Sequence, residues 1–235
     1  MRIAVAFARS TMTANASVCS ACVEVLGVSG VGITVMGGDL AGPLCVSDER
    51  MRALEDLQFT AGEGPCLDAF VTRLPVFVER LDLEISARWL AFVDLAIAAG
   101  IGAVFAYPLT YNGATVGVMA IYQDVAGALT QEQRDDSVAL CEVLTESVLS
   151  LQDASPNGVL AVGLDDAVAY RAQIHQASGM VSVQLHMSTS DALARIRAYA
   201  FANNLPIDSV AADIVTRRLR LTDDRHDPQE GARAR

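Results

Sequence analysis

The segment GAVFAYPLTYNGATVGVMAIYQ (102–123) constrains the fold of this chain more than any other. Two runs rich in β-branched and aromatic residues flank Asn112-Gly113, the pair best able to supply positive φ at a two-residue turn. The segment is therefore expected to be an antiparallel hairpin. Shorter stretches of the same character, VGITVM, PLCVS and LPVFVE, read as further strands, with GGDLAG as the loop between the first two.

Helical signals alternate with these strands. TANASVCSACVEVLG carries apolar residues at helical spacing. SDERMRALEDL opens on a serine cap and an acidic first turn, and ISARWLAFVDLAIAA is another helix. TQEQRDDSVALCEVLTESVLSLQ begins with Thr130 and has Gln133 three residues later, a capping-box pattern. Within it Cys141, Leu144, Val148 and Leu151 step 3-4-3, a seam suited to packing on another helix. An antiparallel sheet bounded by helices at both ends is an α+β, sensor-like architecture.

Composition narrows the class. Of 235 residues, 52% are hydrophobic and 19% charged, enough core material for one large domain or two modest ones. WLAFVDLAIAAGIGAVFAYPL (89–109) is long enough to span a bilayer. Asp94, Gly100, Gly102 and Pro108 instead favour a helix to Ala99, a glycine turn and a buried strand from Ile101. MRIAVAFARS lacks the form of a secretory signal. The five cysteines are odd in number and irregularly spaced, which argues against a disulfide framework and for a reducing cytosol. Cys19 and Cys22 have metal-like spacing but no second pair, so small core residues are the better reading. His175 and His186, 11 positions apart, lie roughly 16 Å apart along a helix, too far to share an ion.

Every one of the 17 cations is arginine. Residues 1–159 hold 8 of them against 19 acids, a net of −11, whereas residues 160–235 hold 9 of each. The front would repel a polyanion; the back has cations to offer one. SPNG (155–158) is turn chemistry separating the two textures.

In the front half, the element order, GEGPCLDAF (62–70), the hairpin and the long last helix together resemble a GAF domain over about residues 13–151. Such a resemblance implies a small-molecule sensor or a dimerising module. Cys66, Tyr107 and Tyr122 are the candidate pocket residues, with Cys66 in a loop over the pocket; no particular cofactor is indicated.

The back half holds one ambiguity. Residues 180–187, MVSVQLHM, alternate like a strand, yet AYRAQIHQASG before them has helical spacing. HQASGMVSVQLHMSTSDALARIRAYAFANNLPIDSVAADIVTRRLRL resembles the ANTAR domain of AmiR- and NasR-type antitermination regulators. Ala177, Gly179, Ala192, Arg197, Ala200 and Ala211 carry the likeness. Ser178 departs from it, standing where many such sequences have lysine. The resemblance implies one helix from about Asp165 to Leu185 or His186. Ala167, Tyr170, Ile174, Ala177 and Val181 then form a 3-4-3-4 seam, continued by Leu185. Gly179 costs about 1 kcal/mol in a helix interior, and close approach of a neighbouring helix backbone is the expected offset. Ser188–Asp191 is a capping box for ALARIRAYAFA, whose inward face is Leu193, Ile196 and Ala200. Asn203-Asn204 reads as its C-terminal cap, and Pro206 with Asp208 starts SVAADIVTRRLRL.

The expected organisation is a GAF sensor at 1–151, a linker at 152–164, an all-α ANTAR coiled-coil or three-helix bundle at 165–222, and a flexible tail at 223–235. RNA recognition needs cations for phosphates and planar groups for stacking. Arg195, Arg197, Tyr199, Arg217, Arg218 and Arg220 supply both. Arg197, nearer the packed side, is either the essential RNA contact that the resemblance implies or an internal ion pair or cap contact; Tyr199 is either a stacking platform or core. The RRLR run is either an RNA contact, or a solvated face or frayed tail. No phosphate loop or nucleophile elbow appears, so no catalytic residue is assigned and the chain reads as a non-enzyme. The leading expectation is a cytosolic, homodimeric regulator binding structured RNA and sensing a ligand, with no membrane partner. The alternatives are a helical module docking a protein partner, and a cysteine-dependent GAF enzyme using Cys45 and Cys66.

Overall fold

The computed structural model describes residues 18–36, 42–82, 87–154, 165–203 and 205–222, with no side-chain description for 151–154 and 165–171. The expected linker turn at 155–158 and the tail at 223–235 fall outside these residues. The chain divides into two compact units, Met1–Val168 and Ala169–Arg235.

In the first unit the elements run α1 (Val18–Leu26), β1 (Gly30–Val35), β2 (Gly42–Val46), α2 (Glu49–Ala61), α3 (Pro65–Thr72), β3 (Val76–Val78), α4 (Phe92–Ala98), β4 (Ala103–Tyr111), β5 (Ala114–Gln123) and α5 (Gln131–Ala154). The strands form one five-stranded antiparallel sheet in the order β2-β1-β5-β4-β3. The hairpin is its centre: Asn112 and Gly113 have φ of 49° and 78°, the pair of positive values that a primed two-residue turn demands. β5 continues from that turn to pair with β1 on its other side, Val31 opposite Ile121.

Period-two alternation gives the sheet two apolar faces. Val31, Ile33, Phe105, Tyr107, Met119 and Ile121 pack with Cys19, Cys22, Leu140, Leu144 and Val148 of α1 and α5. Of the seam expected on α5, Leu144 and Val148 are buried in this core and Cys141 is partly buried against it, while the Leu151 side chain lies outside the described residues. Val104, Ala106, Val118, Ala120 and Tyr122 face the other way, towards Met51 and Leu54 of α2, Cys66 of α3, and Trp89 and Phe92. Glycines set the spacing: a Cβ on Gly117 would lie 2.6 Å from the Thr34 carbonyl oxygen, and one on Gly32 would lie 2.6 Å from the Met51 side chain.

Several local expectations hold. Thr130 and Gln133 close their capping box reciprocally, at 2.9 and 3.2 Å. The apolar stretch 89–109 resolves into α4, a turn with Gly100 at φ 79°, and β4. Among the described residues no helix is long and apolar enough to cross a membrane.

Others need correction. Asp48, not Ser47, caps α2, accepting from the Met51 amide at 2.9 Å. Ser47 serves the sheet, accepting from the Val31 amide at 3.0 Å. Cys66, expected in a loop over a pocket, lies instead in helix α3, with Pro65 at its first position where a missing N–H costs nothing. The cysteines are not all thiols: Cys19 and Cys45 form a disulfide across 26 residues. Spacing alone could not reveal that α1 lies beside β2. A bridge closing a loop of that length restricts the unfolded chain by on the order of 3 kcal/mol.

The second unit answers the ambiguity at 180–187 with a helix. α6 (Asp165–Leu185) runs through Gly179, followed by α7 (Thr189–Ala202) and α8 (Ile207–Val215). Ile174, Ala177 and Val181 of the expected seam are fully buried, while Val183 is 79% exposed, so helical rather than strand periodicity governs burial. Ala192, Ile196, Ala200, Ile207, Val210, Ala211 and Ile214 supply the interior from α7 and α8. Among the described residues no neighbouring backbone approaches Gly179 as expected: a Cβ there would meet nothing within 4 Å. α8 also stops earlier than expected, at Val215, and Arg217 adopts φ 60° beyond it.

These two glycines predict opposite outcomes. Gly179→Ala should stabilise the helix by about 1 kcal/mol, whereas Gly117→Ala should cost about 1–3 kcal/mol through overpacking against backbone. Urea unfolding checks both, with Trp89 fluorescence reporting the first unit and far-ultraviolet circular dichroism the helices.

Candidate functional site

Two sets of side chains are candidates, one in each unit. In the first, the sheet face beneath α2, α3 and α4 contains polar groups inside an otherwise apolar layer. Thr34 donates to a Glu55 carboxylate oxygen at 2.6 Å, both residues being buried. Gln58, also buried, binds Cys66 twice: its Nε2 donates to Sγ at 3.1 Å, and its Oε1 accepts from the Cys66 amide at 2.8 Å. Gly64 permits this approach, because a Cβ there would lie 2.6 Å from the Gln58 oxygen. Glu63 accepts from the amides of Ala91 and Phe92 at 2.6 and 3.2 Å, satisfying donors at the start of α4.

At the margin of this layer Asp48 collects hydrogen bonds from the Ser47 hydroxyl, the Met51 amide and, at 3.0 Å, the Tyr122 hydroxyl. Burial works to raise the Asp48 carboxyl, but these donors outweigh it and hold the group below its ordinary value. Burial and the neighbouring Asp48 push the Tyr122 phenol up to about 12. Arg50 lies 5.4 Å from the Tyr122 ring centre and pairs with Asp124 at 2.9 Å.

The three expected pocket residues are therefore not together. Cys66 and Tyr122 belong to this face, whereas Tyr107, the alternate register on β4, lies under α1 and α5 with the opposite core. Burial pushes its phenol up, against the opposing influence of Ser137. The motif reading missed Glu55, Gln58 and Thr34. The only sequence signal for them was polar residues on the inward side of an amphipathic helix and a strand.

In the second unit the arginines divide by environment. Arg197 is half-buried on α7, its Nε shielded from solvent. Arg195, on the same helix, donates to the Thr222 carbonyl at 2.6 Å. Gln184 of α6 donates to the carbonyl of Leu221, itself buried. These two bonds pin the segment after α8 onto α6 and α7. Arg217, Arg218 and Arg220 are exposed along that segment, and Arg218 pairs with Asp213 at 2.8 Å. Tyr199 is half-buried. The family-bearing alanines Ala177, Ala192, Ala200 and Ala211 are all interior, as is Ser178, whose hydroxyl donates to the His175 carbonyl at 2.8 Å. The cap is built as expected, Ser188 Oγ accepting from the Asp191 amide at 3.1 Å.

Both units match known families. The GAF domain model covers residues 13–142 and the ANTAR domain model residues 163–215. The chain belongs to the GAF family and carries an ANTAR domain behind its GAF domain. Both are domains of signalling and regulation. No curated protein sequence matches the chain. Among solved structures, it is similar to the GAF domain of a phosphoenolpyruvate-protein phosphotransferase from Acinetobacter, at 12% identity, covering 65% of this chain and 96% of that one, with a TM-score of 0.47. A type II free methionine-R-sulfoxide reductase from Thermoplasma acidophilum is 15% identical over 64% of this chain and 96% of its own, TM-score 0.43. The GAF-B domain of DevS from Mycobacterium smegmatis is 15% identical over 65% and 96%, TM-score 0.41.

Asp48 yields a pH prediction. A carboxyl lowered in the fold contributes stability above its unfolded pKa of about 3.9 and loses it as pH falls through the folded value. Asp48→Ala should cost about 1 kcal/mol at pH 7, the worth of a helix cap. The difference from the parent should shrink as pH drops below 4, measured by urea unfolding across pH 7 to 2.

Proposed function

We propose that this chain is an RNA-binding transcription antitermination regulator, with residues 1–151 as sensor, 152–164 as linker and 165–222 as output domain. The observation that carries the reading is an ANTAR domain joined to a GAF domain on one chain. The ANTAR resemblance implies binding to paired stem-loops that compete with a terminator, so that bound protein lets transcription continue. A small molecule or a state of the sensor domain sets how much RNA is bound. The protein acts in the cytosol as a homodimer, two output domains gaining avidity for two hairpins. It performs no catalysis.

The arginines suit distinct tasks in this scheme. Arg217 and Arg220 are exposed and fit phosphate contacts, which give affinity and salt dependence without reading sequence. Arg195, bound to the Thr222 carbonyl, holds the segment that presents them. Arg197, half-buried, supports the RNA-facing surface from within, and Tyr199 offers a ring edge for an unpaired base.

Binding of the full-length protein to a paired-hairpin RNA, measured at several salt concentrations, tests this. Arg217→Ala and Arg220→Ala should each weaken binding several-fold and reduce the salt slope by roughly 0.7–0.9. Crosslinking and sequencing of RNA in the source cells should enrich hairpins upstream of terminators, lost in an Arg197→Ala strain whose protein remains folded. Salt-independent binding, or no enrichment over that control, would instead favour the docking of a protein partner.

A further inference from the structure

Four of the five cysteines gather on one face of the sheet. Cys19 and Cys22 lie one helical turn apart on α1, both fully buried. Cys45 sits on β2 opposite Ile33, and Cys141 on α5, each half-buried against the same core. Their chemistry is unequal. Burial pushes the thiols of Cys22 and Cys141 up to about 12, so neither carries appreciable thiolate near neutral pH. Cys66 is on the opposite face, held by Gln58. Cys19 and Cys45 are bonded to each other, with Cα atoms 5.9 Å apart, while Cys22, Cys66 and Cys141 stay thiols.

The bonded pair spans a mechanically weak place. Among the described residues β2 is an edge strand paired only to β1, and the register of that pairing shifts between Ile33 and Thr34. α1 touches β1, β2 and α5, so the bond ties the sheet edge to the helix that braces α5. The Cys45 end is partly open to solvent, which gives a reagent its point of attack, while Cys19 is the buried leaving group. A lone disulfide beside persistent thiols fits a reversible pair better than a structural framework, in which cysteines pair throughout.

We propose that Cys19 and Cys45 form a reversible redox site, exchanging with an external dithiol–disulfide couple, and that its state sets how firmly α1 holds β2 and α5. In the reducing direction a thiolate of the external dithiol attacks Sγ of Cys45. The S–S bond breaks, and Cys19 departs as a thiolate that takes up a proton. The second external thiol, losing its proton, attacks the external sulfur of the mixed disulfide and releases Cys45, which is protonated in turn. Two electrons pass to the protein, and the external dithiol becomes a disulfide; oxidation is the reverse. The site stands independently of the RNA reading, since its output is measured within the first unit.

The test equilibrates full-length protein in dithiothreitol buffers of graded redox ratio. Samples are quenched in acid, unfolded in denaturant, alkylated and mapped by mass spectrometry, with hydrogen exchange on parallel native samples. Cys19 and Cys45 should gain alkylation together through one two-electron transition, while Cys22 and Cys141 should label identically in every buffer. Reduction should raise amide exchange at least tenfold in residues 42–46 and in α1, with a smaller rise in α5. Cys45→Ser and, separately, Cys19→Ala should give the reduced pattern in all buffers. Independent labelling of the two cysteines, a bond that resists every buffer short of unfolding, or identical exchange in both states would overturn the proposal.

Discussion

The first unit depends on the register of β5 between β1 and β4. Because side chains alternate along a strand, slipping β5 by one residue would exchange its two apolar sets and leave neither core filled. On one side the Asn112-Gly113 turn and the one-residue shift between Leu109 and Thr110 together set that register. On the other, Gly117 sits where only a residue without a side chain clears the Thr34 carbonyl. With β5 fixed, Met119 and Ile121 are committed to α1 and α5, and Val118, Ala120 and Tyr122 to α2, α3 and α4.

What was legible in the sequence follows from the range of the forces involved. The hairpin, the Thr130–Gln133 box and the Ser188–Asp191 cap are set by residues a few positions apart, and they appear where expected. The α6 ambiguity yielded to family likeness rather than to periodicity, because 180–187 satisfies both periods locally and burial alone tells them apart. The Cys19–Cys45 bond, the Gln58–Cys66 contact and the separation of Tyr107 from Cys66 were illegible for a common reason. Each depends on which face of the sheet a residue occupies, and that emerges only when strand order is known. The end of α8 was missed because the arginines that follow it are good helix formers. The bonds from Gln184 and Arg195 to the Leu221 and Thr222 carbonyls, which hold the segment off the helix path, are tertiary and propensity does not contain them.

In the second unit arginine position carries more meaning than arginine count. Arg195 and Arg197 are drawn into the bundle's own architecture, the one through Thr222 and the other by partial burial, whereas Arg217 and Arg220 stay outward. The segment after α8 bonds back to Asp213 at its start, through the Arg218 and Leu219 amides, and to Gln184 and Arg195 at its end. The balance of nine arginines and nine acids over residues 160–235 therefore understates the local field near 217–220.

The separation of Cys66 from the Cys19–Cys45 bond has a kinetic consequence. Thiol–disulfide exchange requires sulfur atoms to meet in line, and a hydrogen-bonded sheet lies between these groups. The strands thus act as an insulator against scrambling: the domain can carry a reactive disulfide on one side and a thiol on the other without the bond migrating between them. Losing that partition, by local opening at the sheet edge, would turn an orderly pair into a mixture of isomers.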